Sequence, residues 1–168
     1  MGLKYEKVDK VLELFYEHPQ KSFTVREIAI SSKIPKSTVQ KYLLFLKKEK
    51  FVDKENRAGT SLQFKIKKIN FYTEKIATSG LIDELIAQLN PSCIILFGSI
   101  RKGDSVKESD IDIFIESPFQ KKIKLTFFEK KLGHSIQLFV EQDIHNLPPQ
   151  LFNNVVNGIK LYGSFKVK

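Results

Sequence analysis

The sequence predicts an α/β protein of the α+β kind, in which a small basic helical domain precedes a mixed β-sheet with flanking helices. Residues 1–68 carry 16 lysines and arginines against 8 acidic residues, whereas residues 69–168 carry 12 against 11. The first block shows apolar residues at helical spacing, and the second shows short apolar runs beside a Gly-Ser pair and an Asp-x-Asp pair. We therefore expect three segments, which are a first domain (1–68), a structured connector (69–80) and a second domain (81–168).

Helical patterns fill the first 50 residues. Apolar residues at helical spacing between positions 8 and 15 predict the first helix. Thr24 is a good N-cap for a second helix, because Glu27 lies three residues later and can complete a capping box. A break over 31–35 then leads into a third helix, which opens at Lys36 or Ser37. A helix, a short turn and a second helix together form the helix-turn-helix unit.

A β-hairpin is predicted to follow these helices. Phe51-Val52 and Leu62–Ile66 read as two strands around the polar tip Lys54–Gly59, which would make a wing. With this hairpin the block resembles the winged helix-turn-helix domains of prokaryotic transcriptional regulators, and Thr24–Val52 is the best match. Lys33 departs from the family, which usually has glycine at that turn because the backbone needs a positive φ there.

The first domain is therefore expected to bind double-stranded DNA. The second helix of the helix-turn-helix pair, which opens at Lys36 or Ser37, would enter the major groove. The wing tip would reach the flanking DNA backbone. The candidate contacts are Lys36, Ser37, Thr38, Gln40 and Lys41 on the helix and Arg57 on the wing. Some winged helices mediate only protein contacts, so this alternative stays open.

Two apolar runs carry the chemistry of the second domain. The run Cys93–Phe97 ends in Gly98-Ser99, and a second run contains Asp110 and Asp112. Side chains alternate along a strand, so the two aspartates project from the same side and repel each other. A divalent cation removes that repulsion, and glycine lets a phosphate approach the backbone. The pattern therefore predicts a site for phosphoryl or nucleotidyl transfer.

Gly-Ser followed after ten residues by Asp-hydrophobic-Asp resembles the signature of the polymerase-β-type nucleotidyltransferases, especially their small stand-alone members. The resemblance covers about residues 81–163, and the ending Val155–Gly163 looks like the last helix and strand of those proteins. It implies Mg²⁺ and a nucleoside triphosphate, with ATP favoured. The implied site residues are Asp110 and Asp112 as catalytic metal ligands, and Gly98, Ser99, Arg101 and Ser109 as nucleotide contacts.

A third carboxylate, which the family places on the next core strand, is missing here. That strand reads Ser135–Val140, and Gln137 has the right phase. Gln137 is thus the third candidate metal ligand, but its amide brings no charge and accepts no proton at neutral pH. Glu141 and Asp143 are the substitutes if the strand is aligned differently. His134 reads as a loop histidine without a ligand role.

The favoured function is a DNA-binding enzyme that binds Mg²⁺ and a nucleoside triphosphate and transfers a nucleotidyl group, such as AMP, to a partner. The resemblance implies a HEPN-type protein partner in a toxin–antitoxin-like module, and a homodimer is a further expectation. The rival hypothesis is a transcriptional regulator whose second domain is inactive and serves as a nucleotide sensor or dimerisation unit. A single cysteine and the absence of a long apolar run predict a cytoplasmic protein with no membrane partner.

Overall fold

The computed structural model describes residues 5–166. They fall into two compact units, and the division lies at Lys68. The first unit contains the residues up to Lys68 together with Ser105–Glu108, and the second contains Ile69–Asp104 and the residues from Ser109 onward. Within residues 5–166, every helix is too short or too polar to cross a bilayer.

Three helices make up most of the first unit: α1 (Tyr5–Glu17), α2 (Val25–Ser32) and α3 (Lys36–Lys48). The capping box predicted for α2 is confirmed, since Glu27 N–H donates to the Thr24 hydroxyl and Thr24 N–H donates to the Glu27 carboxylate. Lys33 ends α2 with a φ of 57°, so the turn has the left-handed backbone that usually favours glycine.

The predicted second strand of the wing is wrong. Leu62–Ile66 forms the beginning of α4 (Leu62–Ala77), and only an isolated bridge joins Val52 to Ala58. The alternating apolar residues suggested a strand, but residues four apart, from Phe64 to Lys68 and onward, are the ones that are buried. The Ser61 hydroxyl accepts the N–H of Phe64 and starts the helix. The winged form of the domain is therefore not confirmed.

The second unit is built on a four-stranded sheet, which confirms the predicted mixed α/β architecture. The strands are β1 (Cys93–Phe97), β2 (Ile111–Glu116), β3 (Ile136–Glu141) and β4 (Ile159–Gly163), in the order β3-β2-β1-β4. Strands β2 and β3 are parallel, and β1 is antiparallel to both β2 and β4. The remaining helices are α5 (Leu81–Leu89), α6 (Gly98–Lys102), α7 (Thr126–Leu132), α8 (Pro149–Val156) and a 3-10 turn, Ile144–Asn146.

One face of this sheet holds both a hydrophobic core and the candidate site. Phe97 on β1 and Phe114 on β2 pack in a cluster with Val155 of α8. The register places Asp112 directly opposite Phe97, on this same face. The face is therefore apolar in its middle and acidic at both ends of β2, with Asp112 opposite the end of β1 and Glu116 opposite Cys93.

Candidate active site

Gly98 and Asp112 approach each other closely in the site. Gly98 follows β1 with a φ of +75°, which side chains disfavour. A Cβ atom at this position would lie 1.9 Å from Oδ2 of Asp112, well inside contact distance. Glycine is thus required twice, for its backbone angle and for the room that it leaves to the carboxylate.

Ser99 and Arg101 lie on the short helix α6, which starts at Gly98. Both side chains are partly exposed, and the helix ends at Gly103 in the left-handed conformation. The carbonyl of Ser99 accepts the N–H of Asp104, which folds the following loop back over the helix. Ser99 and Arg101 are therefore held beside the glycine, as a phosphate-binding segment requires.

Asp110 and Asp112 lie two residues apart, one just before β2 and the other within it. Asp110 is exposed and Asp112 is half-buried. Burial raises the pKa of Asp112 above its usual value, and the charge of Asp110 adds to the rise. Within residues 5–166 no cluster of three or more histidine, cysteine or acidic side chains could hold a metal ion. The two aspartates are thus the charged groups to which a cation could bind in this site.

Gln137 lies opposite Asp112 in the parallel register of β2 and β3, and its side chain is exposed. The two other carboxylates considered for this role lie elsewhere. Glu141 pairs with Glu116, about 13 Å further along β3 at ~3.3 Å per residue. Asp143 caps the 3-10 turn by accepting the N–H of His145. The position beside Asp112 is therefore occupied by a neutral amide.

His134 is more closely connected to the site than its sequence position indicated. It is buried, and its Nδ1 lies 2.8 Å from the carbonyl oxygen of Ser109, directly before Asp110. A carbonyl only accepts, so Nδ1 carries the hydrogen of this bond. The ring also contacts Tyr72 edge-on at 5.3 Å. Its location immediately before a core strand was the available signal, but the sequence does not show a contact between residues 25 positions apart.

The candidate DNA contacts all belong to the first unit. Thr38 is partly exposed, and the other helix candidates on α3, which are Lys36, Ser37, Gln40 and Lys41, are exposed. Arg57 is also exposed, in a turn where its backbone N–H donates to the Asp53 carboxylate at 2.7 Å. These side chains are accessible to a ligand.

Parts of the chain resemble known proteins in sequence. The chain is 38% identical over 60 residues to a Methanocaldococcus jannaschii protein named "Putative protein adenylyltransferase". The match covers 32% of this chain and 60% of the relative's length. No solved structure is significantly similar. The family model of the nucleotidyltransferase domain matches residues 79–165, which is just over half of the chain and includes β1 to β4. The chain therefore belongs to the nucleotidyltransferase domain family.

Proposed function

We propose that the second unit binds a nucleoside triphosphate with Mg²⁺ and transfers its nucleotidyl group to a hydroxyl of a partner molecule. The observation that carries the proposal is the contact between Gly98 and Asp112, because it brings a backbone without a side chain against a carboxylate. Phosphates approach such a backbone closely, and carboxylates hold the cation that accompanies them.

The residues present fit a divalent cation. Asp110 lies just before β2 and Asp112 within it, and the charge of Asp110 disfavours ionisation of the partly desolvated Asp112. A cation would relieve the repulsion between the two carboxylates. Both would hold Mg²⁺, and Gln137 offers a neutral oxygen beside Asp112. When bound, the ion would neutralise charge on the triphosphate and polarise its phosphorus–oxygen bonds.

The protein's own groups would bind and orient the triphosphate. Gly98 admits the Asp112 carboxylate beside the backbone that the phosphates would approach. The Ser99 hydroxyl and N–H would donate to phosphate oxygens, and Arg101 would supply a positive charge. Ser109 directly precedes Asp110 and is a further candidate contact for the nucleotide. In the transfer, the acceptor oxygen bonds to the α-phosphorus, the bond from that phosphorus to the bridging oxygen breaks, and pyrophosphate leaves.

The proton of the acceptor hydroxyl has no basic residue to receive it at position 137. Gln137 accepts no proton at neutral pH, so in this proposal the proton passes to solvent or to a carboxylate already engaged with the cation. Turnover is therefore expected to be slow.

ATP is the proposed nucleotide and a protein hydroxyl the proposed acceptor. The name of the Methanocaldococcus jannaschii relative supports this choice, since it describes adenylyl transfer to protein. The acceptor would be a hydroxyl of a HEPN-type protein. Its modification would neutralise that protein, as an antitoxin neutralises its toxin. This partner follows from the family resemblance alone.

The first unit is proposed to bind double-stranded DNA through α3. The support is that exposed polar and basic side chains occupy the first two turns of this helix, while residues 1–68 carry most of the positive charge of the chain. A homodimer would place two copies of α3 on a two-fold symmetric operator.

One observation favours a second candidate function. Gln137 replaces a charged ligand, and a domain without it can bind a nucleotide yet fail to turn it over. The protein would then be a transcriptional regulator that senses nucleotides.

Incubation with labelled ATP, CTP, GTP or UTP, with Mg²⁺ and with or without the product of the neighbouring gene, separates these functions. Transfer of label supports the enzyme, and binding without transfer supports the sensor. Calorimetry with ATP should show Mg²⁺-dependent affinity that Asp110→Asn with Asp112→Asn abolishes. Glu108→Gln removes a nearby exposed carboxylate and is the control that should keep it. An affinity for ATP that changes neither with Mg²⁺ nor with the double substitution contradicts the proposed site.

A further inference from the structure

The segment Phe119–Lys131, between β2 and β3, concentrates the positive charge of the second unit. It holds five of the 12 lysines and arginines in residues 69–168 and one acidic residue, Glu129. The other residues of that range carry seven basic and ten acidic side chains. One short segment is therefore strongly positive within a domain that is otherwise negative.

Most lysines of this segment form no ion pair within the described part of the chain. Within the described residues no ion pair involves four of the five exposed lysines of the segment, which are Lys121, Lys122, Lys124 and Lys130. The single carboxylate, on Glu129, accepts the backbone N–H of Ile136 at 3.1 Å and is thereby directed toward β3. Lys131 donates to the carbonyl of Ser79 at 2.7 Å and is occupied. Four positive charges are thus available to a ligand.

Aromatic side chains are exposed among these lysines. Phe119 is 54% exposed and Phe127 is 67% exposed. Phe119 sits in an ordered turn, because its N–H donates to the hydroxyl of Ser117 at 2.9 Å and that hydroxyl donates to the carbonyl of Leu89 at 2.5 Å. Phe127 is the second residue of α7 and contacts Phe128 edge-on, with 5.3 Å between the ring centroids. Both phenyl groups are accessible in places that the backbone fixes.

We propose that Phe119–Lys131 is a binding surface for single-stranded nucleic acid. Its four available lysines contact phosphates, and its two exposed phenylalanines stack on bases, which is how non-specific single-strand sites are composed. A duplex fits less well, since its bases are already stacked on each other. An acidic protein also fits less well, because protein interfaces favour tyrosine, tryptophan and arginine and are poor in lysine, and the segment contains none of those three.

This surface shares no residue with either proposed site. It includes none of the nucleotide or metal candidates, which cluster around Gly98 and Asp112, and none of the α3 candidates. Its occupation requires neither Mg²⁺ nor a nucleotide. The proposal therefore stands or falls independently of nucleotidyl transfer.

Fluorescence anisotropy of the full-length protein tests it, with labelled 20-mers of deoxythymidine and of uridine and with a 20-base-pair duplex. The Lys41→Ala, Arg57→Ala protein is the background, so that α3 contributes little. We expect binding of single strands in preference to the duplex, with a log–log salt slope of about 0.7 per phosphate contact. The two oligomers distinguish DNA from RNA as the ligand.

Paired variants locate the surface. Lys121→Ala with Lys122→Ala should lower the slope by about 1.4, whereas Lys160→Ala with Lys166→Ala removes the same charge elsewhere in the unit and should leave it unchanged. Phe119→Ala with Phe127→Ala should raise the dissociation constant roughly tenfold or more with little change in slope. Circular dichroism and Mg²⁺-dependent ATP affinity should be unaffected in all of them.

Absence of single-strand binding at 50 mM salt overturns the proposal. Equal losses from the two lysine pairs also overturn it, because binding would then follow net charge alone. If polyglutamate competes as well as the oligomers and the phenylalanine variants bind normally, the segment is a docking surface for acidic protein.

Discussion

At the scale of single residues, the site depends on which side chains are absent as much as on those that are present. Gly98 has no Cβ, so the Asp112 carboxylate can contact its backbone, while position 137 has no charge, so the site has no third carboxylate. The motif residues could be found in the sequence, since their types and spacing are informative. The contact between Gly98 and Asp112 could not, because it depends on the register of two strands and on a positive φ.

Gly98→Ala should abolish Mg²⁺-dependent ATP binding, because the new Cβ would displace the Asp112 carboxylate. The left-handed backbone adds a stability loss of about 1–2 kcal/mol. Gly80→Ala is the matched control, since Gly80 has a φ of +87° but its Cβ would meet only a phenyl carbon at 4.0 Å. Calorimetry should show binding lost in the first variant and kept in the second. Equal affinity in both would show that the carboxylate position is not what matters.

Gln137→Asp should raise any transferase activity, because it restores a carboxylate beside Asp112 that can bind a second cation or accept the acceptor's proton. Label transfer from ATP measures it, with Gln150→Asp on α8 as a control that adds the same charge away from the site. Activity that is equal in the two variants and the parent would mean that the missing charge does not limit turnover.

His134 should position the backbone of Ser109 and Asp110. His134→Phe keeps an aromatic ring but loses the bond to Ser109, whereas His134→Asn restores a donor near the Nδ1 position. The buried Nε2 has no hydrogen-bond partner among the described residues, so the phenyl ring removes an unsatisfied atom and should change stability by less than ~1 kcal/mol. Amide hydrogen exchange at Asp110 and Ile111 should quicken in the phenylalanine variant only. Identical exchange in both variants would assign His134 a packing role.

At the scale of elements, short apolar runs predicted strands correctly, whereas the alternation of apolar and polar residues at 62–66 did not. The strands predicted at Cys93–Phe97 and Ser135–Val140 are confirmed to within a residue, because polar breakers bound each run. Apolar and polar residues also alternate over Leu62–Ile66, but this segment is helical. Its buried residues are spaced four apart from Phe64 onward, and the Ser61 hydroxyl accepts the N–H of Phe64 as an N-cap does. A five-residue window contains too little of either period to separate helix from strand.

The capping box of α2 should make stability depend on pH at acidic values. Hydrogen bonds from the backbone and hydroxyl of Thr24, with Lys21 nearby, lower the pKa of Glu27 from 4.5 to about 2. The ionised carboxylate therefore stabilises the fold above pH 4.5, and this stabilisation is lost as the pH falls from 4.5 toward 2.

Glu27→Gln should consequently melt below the parent protein at pH 7, and the difference should shrink between pH 4.5 and 2. Thermal unfolding followed by circular dichroism measures both. Thr24→Val removes the hydroxyl that accepts the N–H of Glu27. In this variant, which keeps Glu27, thermal stability should depend less on pH than in the parent protein. A difference that stays constant over this range would exclude the capping carboxylate as its source.

At the scale of the whole molecule, charge and chemistry are divided between the two units. The first unit has the large excess of lysine and arginine and the exposed α3, and the second has the nucleotidyltransferase fold. The uneven distribution of charge is visible in the sequence, because charge is summed over many residues and no single residue decides it.

Lys41→Ala with Arg57→Ala should weaken binding to all duplexes and lower the log–log salt slope by roughly one unit per contact. Gln40→Ala should instead relax sequence preference at a cost of ~1–3 kcal/mol, because glutamine can pair with adenine. Gel-shift titrations of the full-length protein on the DNA upstream of its own gene measure both. Lys7→Ala with Lys10→Ala, on α1, is the control for net charge. Unchanged binding in the first pair at 50 mM salt would make α3 a protein-contact element.

The first unit is discontinuous along the chain, since Ser105–Glu108 belongs to it although this tetrapeptide lies between Ser99 and Asp110. The N–H of Lys107 donates to the carbonyl of Glu17 at 2.9 Å, and the buried ammonium of Lys68 donates to the carbonyls of Tyr16 and Ser105. A cut after Lys68 would therefore leave a buried cation short of an acceptor. The two halves of this protein cannot be cleanly dissected by truncation, and a genetic exchange of domains between relatives would have to transplant the tetrapeptide as well.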